Sequence, residues 1–210
     1  MSMFRSLNNE KIGQILNYFA SNIDHLSMTK SLKLLYILDE TSIKETGTLF
    51  TWLDYKVWEM GPVAIDIYNE IKRDEITCYK GKELKSTEYV NIECIQNSDR
   101  EEIYLTSKSE FDKSIFNQYE LDLLYMTVFK FGNWNAMELI NYLHEEGSLW
   151  HKMVKNHNLE EHFETYGKIT NYSIEFTELI EEDQLLMMAY QSAVDYFQFK
   201  DSVLKHAQAS

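Results

Sequence analysis

The sequence predicts a mainly α protein: a multi-helix domain with a small antiparallel β-hairpin insertion and a long C-terminal helix. Three observations carry this. Apolar residues recur at three- and four-residue spacing through most of the chain, the period of a helix with one buried face. Capping signals stand at the right offsets, with Asn117 before Glu120 and Asn135 before Glu138. Only between about 76 and 106 does the pattern turn β-prone.

In chain order, Ile12, Ile15, Leu16, Phe19 and Ile23 lie on one face of a first helix that Asn8 or Asn9 is placed to cap. A second helix follows Ser27 or Thr29. Its run Leu32, Leu34, Leu35, Ile37, Leu38 is apolar on most sides, as a central helix should be, and Gly47 suits its C-terminal end. Thr51 to Glu59 is a short aromatic segment of ambiguous type. Gly61-Pro62 then predicts the start of a new helix, because proline is tolerated at a first helical position and glycine before it accepts the restricted backbone. That helix runs to about Arg73 and buries Val63, Ile67 and Ile71.

Tyr89–Ile95 and Ile103–Thr106 read as a hairpin around the turn residues Asn97-Ser98-Asp99, with a further strand near Ile76–Tyr79. Helices resume after Asn117, running to Gly132, and after Asn135, ending near Gly147. Ser148 caps a short helix with Trp150 and Val154. Residues 156–180 read as irregular and acidic. A last helix, Glu182 to about His206, carries Leu185, Met188, Tyr196, Phe199 and Val203.

Composition narrows the function class. The 210-residue chain has 44% hydrophobic and 26% charged residues, values of a globular domain with a core of its own. No run approaches the roughly 18 apolar residues of a membrane helix. The start MSMFRSLNNEK lacks the apolar stretch and cleavage site of a secretory signal. Cys78 and Cys94 are too few for a disulfide framework and too far apart for a CxxC pair. A cytoplasmic protein with reduced thiols is expected. The formal charge of −14 is uneven: 14 Lys/Arg face 19 Asp/Glu in residues 1–115, and 6 face 15 in residues 116–210. Phosphate backbones are bound chiefly by Lys and Arg, so direct nucleic-acid binding is not expected, while a basic protein partner suits this balance.

No glycine-rich phosphate loop, GxSxG elbow or HExxH motif is present, and no catalytic, cofactor or metal site is expected. His144, His151, His157 and His162 cluster with glutamates within nineteen residues. A zinc site would need three or four of them to converge. The break at Gly147-Ser148 separates the first two, and a histidine hydrogen-bonded at a helix junction beside a tryptophan is the expected role of His144. Trp52, Tyr55, Trp58 and Tyr68 fit either a docking surface or a core.

Two segments together resemble one family. The first is Lys33-Leu34-Leu35-Tyr36 with Asp39, then Gly47 and Gly61-Pro62-Val63. The second is Glu120 to Trp150: a capped helix, Phe131-Gly132, Glu138-Leu139, and His144-Glu145 with Trp150 six residues after the histidine. Their order resembles the Panacea, or SocA-like, antitoxin domain. The resemblance implies a largely helical domain, here residues 1–155 with the β insertion at about 76–106. Beyond it, residues 156–210 form an acidic segment and a helix packed on the domain or on the partner. The resemblance further implies the antitoxin of a two-gene pair that neutralises a protein toxin by direct binding. One type in the family is an adaptor delivering its toxin to an AAA+ protease. A phage anti-defence interaction protein without a dedicated toxin is the alternative. Lys33, Asp39, His144 and Glu145 form either a buried polar network joining the two segments or a direct toxin contact. Tyr36, Trp52, Gly61, Pro62 and Trp150 complete the motif candidates, and Tyr196 and Phe199 on the last helix are candidates for the partner surface.

Overall fold

The computed structural model describes residues 2–79, 82–97 and 100–208, and among these it holds eight α-helices and three small antiparallel two-stranded sheets. The centre is α2, Met28–Thr46, in which every residue from Lys30 to Asp39 is buried. Its Leu-Lys-Leu-Leu-Tyr-Ile-Leu run has no polar face to turn outward, so it sits among α3, α4, α5, α8 and two strands. Ser27 caps it through Lys30 N–H, and Gly47 ends it in the left-handed conformation.

α1, Ser2–Asn22, buries Ile12, Ile15, Leu16, Phe19 and then Ile23 against the hairpin of β5 (Val90–Asn97) and β6 (Arg100–Ser107) and the turn at Ser86–Tyr89. It begins ahead of Asn8 and Asn9, so neither caps it. The Asn97–Asp99 turn lies partly outside the described residues. The strand at Thr77–Tyr79 (β3) pairs with β4, Lys82–Leu84, and does not join the β5–β6 hairpin.

Two departures from the sequence reading matter. First, the segment at Gly61-Pro62 is a strand. β1 (Tyr55–Trp58) and β2 (Gly61–Ala64) form a hairpin in the register Tyr55↔Ala64 to Trp58↔Gly61, and the helix α3, Ile65–Arg73, starts three residues after Pro62. Gly61 has φ of +90° and closes the two-residue turn at Glu59-Met60. Proline is tolerable here as it is at a helix start, because its missing N–H lies on the outer edge of β2. Second, residues 156–180 are more ordered than expected. α7 spans Leu159–Thr165, and the segment beyond it lies along β1, with Val57 N–H donating to Tyr172 O (2.9 Å) and Ile174 N–H to Tyr55 O (2.8 Å).

The capped helices start where the sequence places them, although α5 stops at Leu143, short of Gly147. α4, Gln118–Phe131, and α5, Ala136–Leu143, each start from a complete capping box. Ser148 caps α6, Leu149–Asn156, after the break at Gly147. The last helix, α8, is Gln184–Gln208. No helix of the described residues is long and apolar enough to cross a membrane.

Candidate functional site

The motif residues converge on two buried polar centres along α2. In the first, the Lys33 side chain leaves α2 toward β2 and is 1% exposed. Its Nζ donates to Pro62 O at 2.8 Å. Burial lowers its pKa from the ordinary 10.5 to about 7, because an ammonium with little water loses solvation that one carbonyl replaces only in part. Gly61 is packed into the same place: a Cβ there would lie 3.1 Å from Lys33 Nζ and 3.5 Å from His144 Nε2. His144 caps the C-terminal end of α5 and stacks flat on Trp150, with centroids 3.6 Å apart and planes at 5°. Its Nε2 is buried without a hydrogen-bond partner among the described residues. Burial, and then the nearby Lys33, hold its pKa down to about 4, so the ring is neutral near pH 7. Trp150 Nε1–H closes the centre by donating to Trp58 O at 2.9 Å. Helix α2, the β1–β2 hairpin and the α5–α6 corner are thereby locked together.

The second centre surrounds Asp39, which is fully buried. Its carboxylate accepts from Thr51 N–H (2.6 Å), from the Thr51 hydroxyl and from Tyr55 Oη (2.8 Å). Burial pushes this carboxyl up, and the hydrogen bonds from Thr51 oppose the shift. They hold the turn in which Trp52 takes φ of +57°, an uncommon conformation for a bulky residue. Tyr36 packs edge-on against Tyr55, with centroids 5.4 Å apart, and burial raises its pKa well above the ordinary value. Trp52 itself is buried, stacked between Phe4 (4.9 Å) and Tyr190 (5.5 Å). It belongs to the core.

Lys33, Tyr36, Asp39, Trp52, Gly61, Pro62 and Trp150 are therefore interior, and the structure brings Lys33, Gly61, Pro62, His144 and Trp150 into one cluster. Glu145 stands apart from that cluster. It is exposed, on the rim of a recess of about 420 Å³ shared with Trp134, Glu138, Asn141 and Tyr142. The four histidines disperse. His151 Nδ1 accepts from Gly147 N–H, His157 stacks on Tyr172, and His162 Nε2 lies 3.2 Å from Ile169 O. Among the described residues no group of three His, Cys, Asp or Glu is placed to hold a metal ion.

The surface offers apolar side chains instead. Tyr196 and Phe199 are exposed on α8 together with Leu185 and Met188. A second exposed set, Tyr125, Met126 and Phe129 on α4, escapes the sequence reading. The signal was present: once Leu124, Val128 and Phe131 point inward at helical spacing, Tyr125 and Phe129 must share the outer face.

The Panacea domain of SocA-like antitoxins matches the chain over residues 32–151, more than half its length. The match starts in α2 and ends in α6, so it includes both buried centres and excludes α8. No curated protein and no solved structure was found to match the chain. Both polar centres, of which the first joins the two motif segments, thus lie in the interior of the matched region, and the chain belongs to the SocA-like antitoxin, Panacea domain family.

Proposed function

We propose that this protein is the antitoxin of a toxin–antitoxin pair, acting in the cytoplasm by binding its co-encoded protein toxin and not by catalysis. The observation that carries the reading is the family match across residues 32–151. The placement of the motif residues supports it in a particular way. Lys33, Asp39 and Trp150 are committed to the interior, where each is held by at least one hydrogen bond, and buried polar contacts of this kind specify one packed arrangement. Their task is to present a surface, and the contact with the toxin falls to exposed side chains outside the two centres.

The test is co-expression of this chain with the product of its adjacent gene. Growth should be restored and the two proteins should co-purify as a complex stable in gel filtration. Restored growth without any complex, in pull-down or gel filtration, refutes neutralisation by direct binding. If the adjacent protein also disappears from the cells in a protease-dependent manner, the adaptor reading replaces it.

A further inference from the structure

We infer that the outer face of α8 is the toxin-docking surface and that its occupant is an amphipathic helix of the toxin bearing Lys or Arg beside an apolar stripe. This rests on the antitoxin reading above and assigns its interface. The inner face of α8 is already used. Tyr190 stacks on Trp52, Phe197 meets Trp52 edge-on at 5.1 Å, and Asp201 accepts from Tyr79 Oη at 2.8 Å. The opposite face carries Leu185, Met188, Ser192, Tyr196, Phe199 and Val203, at spacings of 3, 4, 4, 3 and 4 residues. At about 100° per residue these fall within an arc of roughly 80°, and at about 1.5 Å per residue they run for roughly 27 Å.

This stripe is not a scatter of single surface residues. Leu185 is 78% exposed, Met188 66%, Tyr196 58% and Phe199 67%. An aromatic side chain presents about 150–250 Å² when free, and leucine and methionine somewhat less, so the stripe offers on the order of 500 Å² of apolar surface, interrupted by Ser192. That is at the upper end of what a monomer exposes without a partner. The 3-4-4 spacing averages close to the pitch of a straight helix, which suits one helix laid along another.

Charge selects the occupant. The stripe begins beside a recess of about 560 Å³ lined by Glu178, Glu181, Glu182, Asp183 and Leu185, where Lys152 is the sole lining base among the described residues. Among the described residues Glu178, Glu181 and Glu182 form no ion pair. A helix whose cations reach this edge while its apolar side chains cover the stripe satisfies both. A second copy of this chain, with its own formal net charge of −14, would not supply the cations that edge favours.

The probe is the protein encoded by the adjacent gene, taken with the full-length chain. Met188→Glu/Phe199→Glu alters two exposed side chains and should leave the melting temperature in place while weakening binding by at least 100-fold and abolishing growth rescue. Glu181→Lys/Glu182→Lys should slow association about tenfold at low salt, a difference that fades by roughly 0.5 M salt as screening shortens to a few Å. Oxidative footprinting of the wild-type complex, which needs no variant, should protect Met188, Tyr196 and Phe199. Wild-type affinity in the stripe variant, or unprotected stripe residues in the complex, overturns the assignment while leaving the antitoxin reading intact. Absence of any complex with the wild-type chain sinks the antitoxin reading itself, and the assignment with it. A wild-type dimer that Met188→Glu/Phe199→Glu converts to monomer gives the stripe to a second copy and also overturns it.

Discussion

Gly61→Ala tests the first buried centre most directly. Gly61 holds φ at +90°, where an L side chain pays a steric cost, about 1–2 kcal/mol for a non-glycine residue. The added methyl would also stand 3.1 Å from Lys33 Nζ, 3.4 Å from Lys33 Cε and 3.5 Å from His144 Nε2. Lys33 is gripped by α2 and by Pro62 O, so it yields only by stretching that hydrogen bond. Losing a hydrogen bond from a charged donor, which Lys33 is below its pKa of about 7, costs a further 1.5–3 kcal/mol or so. The sum predicts a loss of about 2.5–5 kcal/mol, or roughly 5–20 °C in melting temperature for a domain of this size. Chemical denaturation of wild type, Gly61→Ala, Lys33→Ala and the double variant separates the two contributions. If the lysine contact is real, Gly61→Ala costs at least 1 kcal/mol less in the Lys33→Ala background, as contacting residues are non-additive. A Gly61→Ala loss below about 0.5 kcal/mol, or strict additivity with Lys33→Ala, would refute the close packing of Gly61, Lys33 and His144.

The buried charges give further tests. With a folded pKa of about 7 against an ordinary 10.5, Lys33 keeps its proton only in the unfolded chain across that window, so its contribution rises with pH. Between pH 7 and 9 wild type should gain about 2–3 kcal/mol relative to Lys33→Met, measured by urea denaturation at each pH, and parallel curves would contradict it. His144, lowered to about 4 from 6.5, works in the acid range: the unfolded chain takes the proton first, so stability falls as pH drops from about 6.5 to 4. His144→Phe should retain the stack on Trp150 and lose that part of the acid sensitivity; an unchanged acid limb in thermal melts would count against a neutral buried ring. Asp39→Ala removes the acceptor for Thr51 N–H, the Thr51 hydroxyl and Tyr55 Oη together. At about 1–3 kcal/mol for each buried donor left unpaired it should cost several kcal/mol and raise the mobility of the Trp52 turn, read by tryptophan fluorescence, and a neutral result would dismiss the second centre.

The helices with local signals were legible at once. Asn117 with Glu120, Asn135 with Glu138, Ser27, Ser148 and Gly47 act within one helical turn, so neighbouring residues suffice to decide them. The resemblance also paired the right segments: Lys33 with Gly61-Pro62, and His144 with Trp150. What each residue does there was not legible, because a buried network and a partner contact call for the same polar residues. Only the fold shows Lys33 reaching Pro62 O and Glu145 facing outward.

By itself the sequence determined the helical period, the caps, the central position of α2 and the charge imbalance, since each follows from residues close in the chain or from composition alone. The tertiary structure decided the rest. Gly61-Pro62 suits a strand or a helix start equally well, and pairing with Tyr55–Trp58 made it a strand, whose proline carbonyl Lys33, 29 residues earlier, then takes. Residues 168–174 carry no strong strand pattern, yet they lie along β1 because its edge N–H and C=O groups need partners. Trp52 became core and Tyr196 and Phe199 became surface for one reason: α8 can bury only one of its faces, and the aromatic cluster of Phe4, Trp52, Tyr190 and Phe197 claimed it.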